Sequence, residues 1–249
     1  MTTSSPATAV RPRFDWKGLA WLFVFFWYFS AVTQALIQLS GTSGFEGFRN
    51  AFLLSALWLI PVLLFPARTR WIAGALGLVL FLCSLLSLGY FLIYQQEFSQ
   101  SVIFVIFESN NAEAGEYLSQ YFAWWMVPAL LAYTLGAVFL WTRVRPVYLS
   151  AGKATLVSLA LLIGLVAWPL YKQVQRTGSF DEGLEKFQSR AEPAVPWQLL
   201  IGYNNYREQL DGMQAMLAAN AKVPPLNNLR DVGAGLPATL VLVIGESTN

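Results

Sequence analysis

Five apolar runs divide the chain up to Tyr171, each near the length that crossing a membrane demands. A spanning helix needs about 20 predominantly apolar residues, because a ~30 Å hydrocarbon core is crossed at ~1.5 Å per residue. Trp16 to Leu39 meets this, broken only by Lys17 at its edge and by Thr33, Gln34 and Gln38 late. Asn50 to Phe65 is shorter, with Pro61 near its end, and is the weakest of the five on length. Trp71 to Tyr94 carries no charge, and Trp124 to Trp141 is bracketed by tryptophans of the kind that settle at membrane interfaces. Thr155 to Tyr171 closes the series. The pattern predicts an all-α membrane domain over residues 16–171, with five transmembrane helices.

Lysine and arginine set the orientation. Arg11, Arg13 and Lys17 lie before or at the start of the first run, Arg68 and Arg70 follow the second, and Arg143, Arg145 and Lys153 follow the fourth. The opposite short loops hold Arg49 alone, which places the N-terminus inside and the segment after the fifth span outside. Residues 1–15 read as a cytoplasmic tail. The first run is too long for a signal-peptide core and no A-x-A site follows it, so it reads as an uncleaved anchor.

The polar stretches carry the candidate chemistry. Gln95 to Phe122 holds Glu97, Glu108, Glu113 and Glu116 and no basic residue, with short apolar helices expected at about 98–122. Asn110 and Glu113 match a capping box. Glu113 therefore reads either as a helix cap or, with its neighbours, as a carboxylate facing a cationic or amine-bearing headgroup. Residues 172–249 carry seven basic and eight acidic side chains, a change of solvent and hence a domain boundary. Leu199, Tyr203, Tyr206, Leu210, Met213 and Leu217 recur at helical spacing and predict a helix over 197–220 within a linker at 172–237, its stripe either lying on the membrane surface or, the more common use, packed against a folded domain.

Thr239 to Ile244 is a continuous β-rich apolar run ended by Gly245, the pattern of a strand buried in a parallel sheet. Residues 238–249 are thus expected to begin an α/β domain belonging to a longer protein. Ligands sit at the carboxyl ends of such strands, which makes Glu246 a candidate metal ligand. Ser247 and Thr248 follow it, but nothing in the chain serves as their base.

Composition narrows the classes. Only 12% of the 249 residues are charged, against about 25% in ordinary soluble domains. The net charge of +2 gives no polybasic footprint, so nucleic acid is not an expected partner. Cys83 alone excludes an internal disulfide framework. The absence of histidine excludes a Ser-His-Asp triad and a histidine-built zinc site within these residues.

Several stretches resemble the membrane-bound phosphoethanolamine transferases, in the branch that modifies the lipopolysaccharide core. They are Gln95 to Ser101, Glu116 to Phe122, Arg145 to Tyr148, Pro196 to Gln198 and Val241 to Thr248. The resemblance implies an alkaline-phosphatase/sulfatase-like periplasmic domain tethered to the bacterial inner membrane, of which this chain would hold only the first strand. Phosphatidylethanolamine would donate its headgroup to a zinc-bound threonine, which would pass it to a phosphorylated heptose of the lipopolysaccharide core. By position, Glu246 would be the first zinc ligand, and Ser109 with Glu113 would bind the donor lipid. The nucleophilic threonine and the other metal ligands would lie downstream, so no catalytic residue is expected in this chain and no transferase activity from it alone. Two other classes fit five spans: a glycerol-phosphate polymerase of the lipoteichoic acid synthase kind, and a non-catalytic anchor or interaction module.

Overall fold

A computed structural model describes residues 15–41, 44–98, 100–109, 115–116 and 119–220, and every regular element among them is helical. The strand expected at Thr239 to Ile244 lies outside the described residues. The chain divides into two compact units, Met1–Glu208 and Gln209–Asn249. Of the second unit, the described residues 209–220 are helical.

The elements are α1 (Trp16–Leu39), α2 (Phe45–Ser55), α3 (Leu59–Leu64), α4 (Thr69–Tyr94), α5 (Gln100–Glu108), α6 (Met126–Arg143), α7 (Ala151–Leu162), α8 (Trp168–Thr177), α9 (Phe180–Ala191) and α10 (Trp197–Asn220). Five helical stretches are long and apolar enough to cross a membrane: Trp16–Leu39, Phe45–Leu64, Pro66–Tyr94, Met126–Arg143 and Ala151–Thr177. The first has the bounds the sequence suggests, because Asp15 caps it: its carboxylate accepts the Gly18 N–H at 3.0 Å.

The second and fifth spans extend beyond their apolar runs, since backbone hydrogen bonding does not stop where polarity begins. Both contain a proline, which lacks an N–H and crowds the carbonyl four residues earlier. In each, the helix changes pitch just ahead of that proline. A 3₁₀ turn over Ala56–Trp58 precedes Pro61. A π turn over Ile163–Ala167 precedes Pro169, and there the Trp168 N–H reaches back to the Ile163 carbonyl.

Helix α1 is the axis of the bundle. Its Leu22, Phe25, Phe26 and Phe29 are buried against Val62 and Leu63 of α3, Ala73 and Leu80 of α4, and Tyr133 and Ala137 of α6. Helix α7 presents most of its side chains outward, as expected where lipid tails are as apolar as leucine. Alternating direction puts the starts of α1 and α4 and the end of α6 at one end of the bundle, marked by Asp15. The end of α1, the start of α2 and the end of α4 lie at the other, marked by Gln34. Helix α9, which the apolar runs did not signal, packs against α8 and α2.

Candidate functional site

Polar side chains buried in an apolar bundle must find partners within it. Ser30, Thr33 and Gln34 fall on one face of α1, at i, i+3 and i+4, and all three are buried. The Ser30 Oγ accepts a hydrogen bond from the Val195 N–H at 3.0 Å. The Gln34 Nε2 donates to Glu97 Oε1 at 3.4 Å. The Thr33 hydroxyl has no partner among the described residues. Nearby, the buried Gln198 Nε2 donates to the Phe98 carbonyl at 2.9 Å. Gly47 is needed here for close approach: a Cβ on it would come within 2.6 Å of Gln34 Oε1.

Aromatic rings flank this network. Tyr90 and Tyr94 have centroids 4.7 Å apart, and the edge of Tyr90 meets Phe98 at 5.7 Å. Glu97 is thus a partly buried carboxylate braced by an amide, next in sequence to Phe98, whose ring meets Tyr90. A carboxylate with neighbouring π faces is suited to an ammonium group.

Helix α5 roofs this end. Its Ile103 is buried where Gly202 of α10 leaves no side chain, and an added Cβ there would collide with the isoleucine. Phe107 stacks on Tyr206 at 5.4 Å and meets Tyr203 at 5.2 Å. The stripe suggested for α10 is therefore used in its first half, while Met213 and Leu217 are exposed. The buried face near its start is Gln198, Ile201 and Gly202, which the stripe did not include.

Of the residues singled out in the sequence, Ser109 follows α5 directly, half-buried, with its N–H on the Val105 carbonyl at 2.9 Å. Glu113 and Glu246 lie outside the described residues, as does the Asn110–Glu113 capping box. The Gln34–Glu97 network was not anticipated. Its signal was present as Thr33 and Gln34 interrupting the first span, and Glu97 just beyond the third.

Two cavities complete the picture. An apolar crevice of about 330 Å³ opens between α2, the π turn, α9 and α10, lined by Leu54, Val166, Leu184, Trp197 and Ile201, with Gln188 and Asn204 among its polar members. A cationic pocket of about 240 Å³ lies at the Asp15 end. No group of three or more His, Cys, Asp or Glu able to hold a metal occurs among the described residues.

A family model described as "Phosphoethanolamine transferase EptA/EptB" matches residues 55–199. The chain is 50% identical over 245 residues to "Phosphoethanolamine transferase EptC" of Escherichia coli K12, covering 98% of this chain and 42% of that protein. It is 51% identical over 239 residues to "Phosphoethanolamine transferase CptA" of Salmonella typhimurium LT2, covering 96% of this chain and 41% of that protein. The chain thus spans about two-fifths of the length of these curated relatives. No solved structure matches it.

Proposed function

Because the chain belongs to the phosphoethanolamine transferase family described by the EptA/EptB model, we propose that it forms the membrane part of such an enzyme. The enzyme moves phosphoethanolamine from phosphatidylethanolamine to a phosphorylated heptose of the lipopolysaccharide core, at the bacterial inner membrane. The N-terminus is cytoplasmic, which turns the Gln34 end towards the periplasm and the outer leaflet. There follows an α/β domain of the alkaline-phosphatase/sulfatase kind, begun by the strand at Thr239 to Ile244.

The observation that carries this reading is the buried polar network at the Gln34 end, in a chain of this family. Donor lipid approaches that end from the leaflet. The Glu97 carboxylate takes the headgroup ammonium, the Gln34 amide holds that carboxylate in place, and the rings of Tyr90 and Tyr94 border the cation. Ser109, at the end of α5, and Glu113 act with them on the same headgroup. The crevice beside the π turn offers an apolar wall to an acyl chain.

Zinc is the cofactor implied by the resemblance. The described residues do not fit it, lacking any cluster of three or more His, Cys, Asp or Glu, and the sequence contains no histidine. In this reading zinc belongs to the α/β domain, where Glu246 is the ligand this sequence offers.

The test is transfer by the purified full-length protein from headgroup-labelled phosphatidylethanolamine to lipopolysaccharide core. Label should appear on core phosphate. Transfer confined to a glycerol-phosphate donor, or no transfer with any donor, would sink the reading.

A further inference from the structure

The Asp15 end holds a second pocket, independent of the donor-lipid reading. Its pocket of about 240 Å³ is lined by Asp15, Lys17, Gly18, Trp21, Arg143 and Arg145. Drug-sized ligands occupy pockets of about 300–1,000 Å³, so this one suits a small headgroup rather than a whole metabolite. Three cations meet one carboxylate there, and that carboxylate is engaged by the Gly18 N–H at 3.0 Å. Among the described residues, no carboxylate lies within the 4.0 Å of an ion pair from Lys17, Arg143 or Arg145.

The cations are held in place nonetheless. The Arg143 guanidinium lies over the ring of Phe139 at 5.0 Å and over that of Trp21 at 5.8 Å. Two ring faces fix its plane while its N–H edges keep their donors for an anion. Arg145 sits between Val144 and Val147, both buried in the core cluster built around α1, which pins the extended segment that carries it.

Tryptophans place the pocket at headgroup depth. Trp16 and Trp71 are exposed at the same end, 71% and 85%, in the position of an interfacial belt. Basic pockets between membrane helices bind anionic lipid headgroups.

We propose that this pocket binds the phosphate of an anionic phospholipid, of the phosphatidylglycerol class, in the leaflet bordering the Asp15 end. Arg143 and Arg145 are the main ligands and Lys17 adds charge. The excess of cations selects a net-negative headgroup over zwitterionic phosphatidylethanolamine.

Native mass spectrometry of the chain released from detergent, titrated with phosphatidylglycerol or phosphatidylethanolamine, tests this. The unaltered chain should prefer phosphatidylglycerol by about fivefold or more, and Arg143→Gln/Arg145→Gln should abolish the preference. Arg143→Lys/Arg145→Lys, which keeps the charge, should retain most of it and guards against a folding defect in the first pair. Lys17→Gln should lower the preference by about twofold. Equal binding of the two lipids by the unaltered chain would overturn the proposal, as would a preference that survives the double glutamine variant. Displacement of phosphatidylglycerol by millimolar inorganic phosphate would overturn its assignment to a lipid.

Discussion

At the Asp15 end of the bundle, Lys17, Arg143 and Arg145 stand at the surface without carboxylate partners among the described residues, Arg143 resting on two aromatic rings. At the Gln34 end, Ser30, Gln34, Glu97 and Gln198 turn inward and bond to one another or to backbone groups. Long cations can reach water or headgroups without help, so their exact neighbours matter little to the fold. Short amides, hydroxyls and carboxylates withdrawn from solvent must be satisfied locally, and a change in one is felt by the next. The first arrangement suits orientation and recognition of bulk lipid charge. The second suits discrimination of one headgroup.

The largest effect concerns whether the Gln34 end works alone. The 249-residue chain, reconstituted with phosphatidylethanolamine and acceptor, is expected to give no transfer, because the proposed function assigns the nucleophile and most metal ligands to residues outside this sequence, which has no histidine. Any turnover above background in a labelled-donor assay would contradict this.

A smaller effect separates buried from exposed polarity. Gln198→Leu leaves the Phe98 carbonyl without its donor at a buried position. Such a loss costs about 1–3 kcal/mol. Thermal unfolding in detergent should show a lower midpoint for this variant. Gly202→Val should disturb the same end differently, by displacing Ile103 and lifting α5 from α10. Faster proteolysis near residue 109, with the spans intact, would record it. At the other extreme, Glu46→Ala removes an exposed i,i+3 pair with Arg49 at 3.7 Å. Surface pairs contribute little, and no measurable change in melting is expected.

Much of the architecture was legible because membrane helices announce themselves by length. Trp16–Leu39 and Trp197–Asn220 have the bounds read from apolar spacing, the first helped by its Asp15 cap. Helix α9 was not legible, since Asp181, Glu182, Glu185 and Lys186 mask its few apolar positions, though its acidic first turn and Arg190 in the last suit the helix dipole. The π turn before Pro169 was also hidden, because a proline reveals that relief is needed and not which form it takes. The candidate site was half visible. Glu97 stood out as a carboxylate, whereas Gln34 looked like an interruption of a span, because its partner lies 63 residues away in the chain.

In the proposed function the Gln34 end meets the donor headgroup through Glu97. The most direct test compares kcat/KM for phosphatidylethanolamine in the full-length protein carrying Glu97→Gln with that of Lys153→Gln, an exposed cation at the start of α7 by the opposite end. Loss of a charge-assisted hydrogen bond of about 1.5–3 kcal/mol corresponds to a fall of roughly 10- to 150-fold for Glu97→Gln. Lys153→Gln should stay within about twofold of the unaltered enzyme. Equal values for the two variants, or a larger fall for Lys153→Gln, would contradict the account.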